Sequence, residues 1–131
     1  MQTLNVPFMA WLAAIPVGAL ASAVLVVNNL RDVDGDAIAG KRTLAVRLGR
    51  SGARTEYALL LAAAYVTPAV LFVAGAAFPV LAPVVTAPRA VALLRVIRTR
   101  EDGPALNEAL AGTAVLALQF SGLFALGLVW A

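Results

Sequence analysis

The chain has 131 residues, of which 62% are hydrophobic and 13% are charged, and it contains neither cysteine nor histidine. Soluble domains are about half apolar, so this composition indicates a multi-span membrane protein, and the missing residue types exclude disulfides, thiolate metal sites and histidine catalysis. The net charge is +3, but the cations lie beside apolar runs, which is typical of orientation in a lipid bilayer and not of nucleic-acid binding.

Four apolar segments are each long enough to cross the hydrocarbon core of a bilayer, which is about 30 Å thick. We predict transmembrane helices at about residues 6–30, 55–76, 80–97 and 105–130. Pro16 should kink the first helix, and Pro83 and Pro88 should kink the third. The uncharged run 57–88 is too long for one span at about 1.5 Å per residue, so the chain should turn near residues 75–79. The predicted fold is an all-α transmembrane helix bundle, with residues 1–131 forming one domain.

Basic residues concentrate in two of the predicted connections, the one between the first two helices and the one between the last two. Because successive spans alternate in direction, these two connections lie on the same side of the bilayer. The positive-inside rule makes this side cytoplasmic. We therefore expect Arg42 and Asp102 to face the cytoplasm, and Met1, Gly75 and Ala131 to face the other side, in a multi-pass protein of the plasma membrane.

The polar stretch between the first two helices holds acidic side chains at helical spacing. Asn28, Asp32 and Asp36 follow one another at intervals of four, so a helix would present them on one face, and Asp34 would lie nearly opposite. Carboxylate and amide oxygens suit Mg²⁺, which usually takes one or two carboxylates together with substrate phosphates and waters. We therefore expect Asp32 and Asp36 to be metal ligands and catalytic residues.

Cations follow this row within the same stretch. Lys41, Arg42 and Arg47 could share the charge of a polyanion such as diphosphate. Taken by themselves, the residues also allow a simpler interpretation, in which the stretch is a solvated loop whose charges only orient the protein in the bilayer.

The stretch 28–49, NNLRDVDGDAIAGKRTLAVRLG, resembles the second aspartate-rich motif of the UbiA superfamily of intramembrane aromatic prenyltransferases. The superfamily pattern D-x3-D-x3-G is met by Asp32, Asp36 and Gly40. The opening NN-x-RD and the ending GKRTLAVRLG are similar to the branch that prenylates 1,4-dihydroxy-2-naphthoate in menaquinone synthesis, as is the segment LNEALAGTA at 106–114. The resemblance covers nearly the whole chain.

This resemblance implies a nine-helix fold with two aspartate-rich motifs, of which the chain is similar to the last four helices and the second motif. The first motif, of the N-x3-D type, is absent, so we expect function to need an N-terminal half that supplies it. The resemblance also implies that Mg²⁺ is the cofactor and that Asp32 and Asp36 hold it. The side chains expected to bind the diphosphate are Asn28, Lys41, Arg42 and Arg47.

The implied reaction transfers a polyprenyl group from polyprenyl diphosphate to 1,4-dihydroxy-2-naphthoate, with release of diphosphate and carbon dioxide. The expected partners are these two substrates, the lipid bilayer and the N-terminal half, and no nucleic acid. Two alternatives remain open. A prenyltransferase of the same superfamily could use another aromatic acceptor, such as 4-hydroxybenzoate or a porphyrin-derived ring, or the chain could be a non-catalytic membrane fragment or subunit.

Overall fold

The computed structural model of the chain describes residues 8–130, and every regular element within this range is helical. The elements are α1 (Phe8–Arg31), α2 (Val33–Ile38), α3 (Leu44–Val73), a 3₁₀ helix (Phe78–Thr86), α4 (Ala87–Thr99) and α5 (Gly103–Val129). Four segments are long and apolar enough to span a membrane, namely α1, α3, α5, and the 3₁₀ helix continued by α4. The predicted all-α bundle with four transmembrane helices is confirmed, and the chain is a multi-pass membrane protein.

The outer surface of the bundle is apolar, as a protein surrounded by lipid requires. Large apolar side chains are exposed on the spans, including Trp11, Val85 and Leu118. Inside, the hydroxyl groups of Tyr57 and Thr113 share a hydrogen bond of 3.0 Å, so neither polar group is left unpaired among apolar neighbours. The other fully buried side chains of the core include Leu20, Val27, Leu30, Leu71, Val80, Ile97, Leu106, Leu116, Phe120 and Phe124.

Helix α5 packs against α1 and against the 3₁₀ helix, and α1 also packs along α3. Helix α5 approaches the 3₁₀ helix closely at Gly127, where a Cβ atom would collide with the carbonyl oxygen of Pro79. Only glycine allows two backbones to come this near to each other. The contact between α5 and the 3₁₀ helix therefore depends on this glycine.

Helix α3 begins well before its predicted start at residue 55. Thr43 caps it, because the Thr43 hydroxyl accepts a hydrogen bond from the Val46 N–H at 3.3 Å, which satisfies one of the free N–H groups of the first turn. The helix is broken at Gly49, whose φ of 72° and ψ of 177° lie outside the helical range. Beyond the end of α3, the chain turns at Gly75, which has a φ of 105°, within the predicted turn.

The third span is not the single kinked α-helix that was predicted for residues 80–97. Its first part is the 3₁₀ helix, and α4 continues it to Thr99. The prolines at positions 79 and 83 have no N–H to donate, and a proline ring collides with the carbonyl four residues earlier in an α-helix, so an α-helix is disfavoured there. Helix α5 lies close to its predicted range, and α1 ends one residue later than predicted. The start predicted for the first helix falls outside the described residues.

Both basic connections lie at the same end of the bundle, which we call the polar end. Arg54 of α3 donates hydrogen bonds to the carbonyl oxygens of Ile97 at 2.9 Å and Arg100 at 3.3 Å, at the end of α4. These bonds satisfy carbonyl groups that a helix leaves free at its last turn. The Gly75 turn lies at the opposite end, because α3 crosses the bundle between them. The predicted positions of the two terminal residues, 1 and 131, lie outside the part of the chain that the structure describes.

Candidate functional site

The polar stretch begins where α1 ends and α2 starts, and Asp32 occupies this junction. The Asp32 N–H donates to the Asn28 carbonyl at 3.1 Å, and the Asp36 N–H donates to the Asp32 carbonyl at 2.8 Å. Bonds between residues four apart carry the helical register across the junction. Asn28, Asp32 and Asp36 therefore follow one another in a row, although the helix that was expected to present them is divided in two.

The side chain of Arg31 joins α1 to α5 at the junction. Its Nε and Nη2 atoms donate to the Oδ1 and Oδ2 atoms of Asp32 at 2.8 and 2.9 Å. Nη2 also donates to Oδ1 of Asn28 at 3.0 Å, and Nη1 donates to Oδ1 of Asn107 on α5 at 3.0 Å. A two-point contact between guanidinium and carboxylate fixes orientation as well as distance. Arg31 therefore holds the Asp32 carboxylate in one orientation.

The turn that ends α2 brings the second carboxylate to a cation. The Lys41 N–H donates to the Asp36 carbonyl at 2.9 Å, and the Gly40 N–H donates to the Ala37 carbonyl at 3.1 Å. This pair of bonds is a Schellman motif, in which Gly40 adopts a φ of 72°. The turn places Nζ of Lys41 2.8 Å from Oδ1 of Asp36, whose side chain is buried. The positive φ that this turn requires explains why position 40, four residues after Asp36, is a glycine.

Each of the two carboxylates is paired with its own cation. Hydrogen bonds from Arg31 hold the pKa of Asp32 below its usual value, against the opposing effect of burial. The hydrogen bond to Asp36 raises the pKa of Lys41, and the more distant charge of Asp32 adds to the effect. Lys41 therefore interacts electrostatically with both carboxylates, and it is protonated at neutral pH.

The remaining residues expected at the site are not drawn into this network. Arg42 and Arg47 are exposed, and within residues 8–130 neither side chain has a hydrogen bond or an ion pair. Asp34, which was expected to lie away from the row, pairs with Arg50 of α3 at 2.7 Å and has a side chain that is 82% exposed. That pair ties α2 to α3 and is separate from the row.

Two members of the network, Arg31 and Asn107, were not among the residues expected to form the site. Arg31 had a local signal, because it follows Asn28 by three residues, a spacing at which side chains of one helix meet. Asn107 had no such signal, because its contact joins residues 76 positions apart in the chain. It depends on how α5 packs against α1, which residue spacing does not reveal.

The donor set suits a divalent cation that shares its coordination with a substrate. Each oxygen of a carboxylate has two lone pairs, so the bonds from Arg31 leave acceptor positions free on Asp32. In the part of the chain that the structure describes, no group of three or more acidic side chains could hold a metal ion by itself. A site with two carboxylates, completed by phosphate oxygens and waters, is the usual arrangement for Mg²⁺. Asp32 and Asp36 fit such a site.

The chain is similar to proteins of one known family. Residues 1–115 match the model of the UbiA prenyltransferase family. The chain is 40% identical over 114 residues to the 1,4-dihydroxy-2-naphthoate octaprenyltransferase of Mycobacterium leprae (strain TN), covering 87% of this chain and 38% of that protein. It is 39% identical over 130 residues to the protein of the same name from Mycobacterium tuberculosis (strain ATCC 25618 / H37Rv), covering 96% of this chain and 44% of that protein.

A shorter match reaches higher identity. Over 64 residues the chain is 52% identical to the 1,4-dihydroxy-2-naphthoate octaprenyltransferase of Haemophilus influenzae (strain ATCC 51907 / DSM 11121 / KW20 / Rd), covering 49% of this chain and 21% of that protein. The chain spans less than half of the length of the curated relatives that it matches. No solved structure gives a significant match.

Proposed function

Because the chain belongs to the UbiA prenyltransferase family, we propose that it forms part of an enzyme that transfers a polyprenyl group from polyprenyl diphosphate to 1,4-dihydroxy-2-naphthoate. The observation that carries this proposal is the row of Asp32 and Asp36 at the polar end of the bundle, each carboxylate beside a cation. The names of the bacterial relatives support the choice of acceptor. The concentration of basic residues at the polar end supports a plasma-membrane protein with this end in the cytoplasm.

The two carboxylates are the proposed ligands of Mg²⁺. Asp32 and Asp36 would bind the ion together with oxygen atoms of the diphosphate. When bound, the ion supplies positive charge that stabilises the leaving diphosphate. The structure pairs each carboxylate with a cation, and the hydrogen bonds from Arg31 lower the pKa of Asp32.

The cations of the stretch bind the rest of the diphosphate in this proposal. Lys41 has three N–H donors, and its bond to Asp36 leaves others free for a phosphate oxygen. Arg42 and Arg47 are exposed and have fork-shaped donor groups that suit phosphate. Asn28 lies at the start of the row, where its amide N–H groups can donate to an oxygen of the substrate. Fixed donors of this kind stabilise charge that develops in the transition state.

The bond changes follow from this arrangement. The bond between the allylic carbon and the diphosphate oxygen breaks, and its electron pair leaves with the diphosphate. An electron-rich carbon of the aromatic ring then forms the new carbon–carbon bond. The carboxylate leaves the ring as carbon dioxide, and the electron pair of the broken bond restores the aromatic system. The apolar spans beside the polar end provide a medium for the isoprenoid tail and keep water from the allylic cation.

We also propose that a second aspartate-rich motif, supplied by an N-terminal half, completes the site. Within residues 8–130, the row offers two carboxylates and no third acidic ligand. A diphosphate with its metal ions brings several charges, each of which needs a partner at a low-dielectric site. The proposal therefore assigns to this chain one side of the substrate site.

Substitution of the row tests the proposal in a chimaera, in which this chain replaces its aligned segment of the Mycobacterium tuberculosis relative. We expect Asp32→Asn and Asp36→Asn to lower kcat/KM for prenyl transfer by about two orders of magnitude or more, because a lost metal ligand removes several kcal/mol of charge stabilisation. Transfer is measured with radiolabelled polyprenyl diphosphate and 1,4-dihydroxy-2-naphthoate in membranes.

The matched control is Asp34→Asn, which removes the same charge at a position in α2 between Asp32 and Asp36. Asp34 is exposed and pairs with Arg50 away from the row, so its loss should change kcat/KM only a few-fold. Equal losses for Asp34→Asn and Asp32→Asn would contradict the assignment of the row. Faster transfer to 4-hydroxybenzoate than to the naphthoate would contradict the proposed acceptor.

A further inference from the structure

The guanidinium group of Arg31 is held by side chains from two helices. Asp32 takes its Nε and one Nη2 hydrogen, Asn28 takes the other Nη2 hydrogen, and Asn107 takes one Nη1 hydrogen. A guanidinium has five N–H groups, so four of them are engaged. Within residues 8–130, Asn107 is the only residue outside α1 and its junction with α2 that accepts a hydrogen bond from Arg31.

At the junction, where Asp32 has a φ of −94° and a ψ of 4° between two helices, the side chain of Asp32 is not held by a capping hydrogen bond to the backbone of α2. Its carboxylate is therefore oriented by Arg31. An arginine side chain has many rotamers, and holding it in one of them needs contacts at more than one edge. Asn107 supplies the contact at the edge that Asp32 and Asn28 leave open.

We infer that Asn107 is a positioning residue for the metal site, which acts through Arg31 to orient the carboxylate of Asp32. In this arrangement α5 sets the direction in which Asp32 offers its free lone pairs, although α5 carries none of the proposed metal ligands. Partners of metal ligands commonly change affinity by about 10- to 100-fold when they are removed. The inference rests on the proposed function, since it concerns the same divalent-cation site.

A different role for Arg31 leads to a different result. If Arg31 acted only as a positive charge for the diphosphate, a lysine would replace it and Asn107 would be dispensable. If it orients Asp32, its two-point contact is needed, because a lysine ammonium cannot hold both carboxylate oxygens in the same way. The bond from Nη1 to Asn107 then matters for metal affinity.

The test uses the chimaera in which this chain replaces its aligned segment of the Mycobacterium tuberculosis relative, in lipid nanodiscs. It measures protein-bound Mn²⁺ by equilibrium dialysis in the presence of inorganic diphosphate. We expect Asn107→Leu and the smaller Asn107→Ala each to raise the dissociation constant for Mn²⁺ by about tenfold. Asn107→Asp keeps an acceptor oxygen for Arg31 and should stay within about twofold of the unchanged chimaera. Glu108→Gln, at the next and also exposed position of α5, is the control.

A double substitution separates positioning from general stability. In an Arg31→Leu background, Asn107→Leu should have no additional effect on Mn²⁺ affinity, because the residue through which it acts is absent. An additional effect there, or unchanged affinity in both Asn107 variants while Asp32→Asn weakens binding, would overturn this inference alone. Equal Mn²⁺ binding by the unchanged chimaera and by Asp32→Asn would overturn the proposed function, and this inference with it.

Discussion

Two aspartates at the polar end are each held by an arginine close to them in sequence, with different consequences. The pair of Arg31 and Asp32 reaches another helix through Asn107, whereas the pair of Arg100 and Asp102 is local. Asp102 accepts a hydrogen bond from Nε of Arg100 at 2.7 Å and from the Ala105 N–H at 3.2 Å, so it also caps α5. The same residue therefore joins a turn to the start of a membrane-spanning helix.

The ion pair at Asp102 should make stability depend on pH. Its hydrogen bond from Arg100 lowers the pKa of Asp102 from 3.8 to about 2. Because Asp102 has a lower pKa in the folded state than in the unfolded state, its ionised carboxylate stabilises the folded state. This stabilisation is fully present above the unfolded-state pKa, near 3.8, and it is lost as the pH falls towards 2. Asp102→Asn keeps a capping group but no charge. We expect a lower midpoint of thermal unfolding for Asp102→Asn above pH 5, with a difference that shrinks between pH 4 and 2.

Arg100→Gln provides the control, because it removes the partner and leaves the cap. Arg100→Gln should remove most of the pH-dependent stabilisation, because the hydrogen bond from Arg100 is the largest cause of the lowered pKa of Asp102. In the Arg100→Gln background, adding Asp102→Asn should therefore change the unfolding midpoint much less than it does in the unchanged chain. Thermal unfolding in detergent, followed by circular dichroism at each pH, gives the comparison. A difference that stays constant down to pH 2 would show that the cap, and not the charge, accounts for the effect of Asp102.

At the scale of elements, the turn after α2 decides where the first cation of the stretch lies. Gly40 adopts a φ of 72°, and the hydrogen bonds of the Schellman motif reverse the chain direction. As a result, the side chain of Lys41 forms an ion pair with Asp36. Residues with a Cβ atom adopt this conformation only at an energetic cost. Backbone geometry therefore explains why the third position of the D-x3-D-x3-G pattern is a glycine.

Gly40→Ala should destabilise the folded chain by roughly 1–2 kcal/mol, because alanine is strained at a positive φ. Gly35→Ala is the matched control, since Gly35 lies inside the same short helix, has no positive φ, and has open space where a Cβ would be placed. Alanine should be neutral or stabilising there, by up to about 1 kcal/mol. Chemical unfolding in detergent micelles measures both, and equal stability of the two variants would refute the proposed need for glycine at position 40.

The elements that depend on local sequence patterns could be predicted from the sequence alone. Uncharged runs placed the four spans, and the spacing of Asp32 and Asp36 survives in the backbone although the helix divides at their junction. The early start of α3 was missed, since a threonine cap and a glycine break lie among charged residues that resemble a loop. The 3₁₀ helix was missed because proline indicates a disturbed helix without specifying its form.

Long-range contacts set the other limit on what could be predicted. The bond between Arg31 and Asn107, and the bonds from Arg54 to the end of α4, join residues far apart in the chain. Each depends on the relative rotation and depth of two packed helices. Residue spacing contains no direct record of these quantities, so the network around the row could be found only in the folded chain.

On the scale of the whole molecule, the two basic connections share one end of the bundle, and the Gly75 turn lies at the other. We expect the polar end to face the cytoplasm, because basic residues are retained on that side. The chain has no cysteine, so Arg42→Cys, Asp102→Cys and Ala77→Cys each give a single labelling site. An impermeant thiol reagent added to intact cells should react with position 77 only, and all three should react in permeabilised cells.

Labelling of positions 42 and 102 from opposite sides would contradict the four-span arrangement itself. Labelling of both from outside intact cells would preserve the arrangement and reverse its orientation. Position 77 is preferred to the neighbouring glycine because Gly75 has a φ of 105°, at which a cysteine would be strained. The unlabelled chain serves as the blank.

The last prediction concerns how much of an active site one chain can provide. We expect this chain, purified in detergent with Mg²⁺, polyprenyl diphosphate and 1,4-dihydroxy-2-naphthoate, to show no measurable transfer. The row supplies two carboxylates, while a metal-bound diphosphate brings several charges that a low-dielectric site must balance. Joining the chain to the N-terminal part of the Mycobacterium tuberculosis relative should restore transfer, and Asp32→Asn in that chimaera should abolish it again. Robust transfer by the chain alone would mean that one row suffices, or that two copies of this chain face each other and complete the site between them.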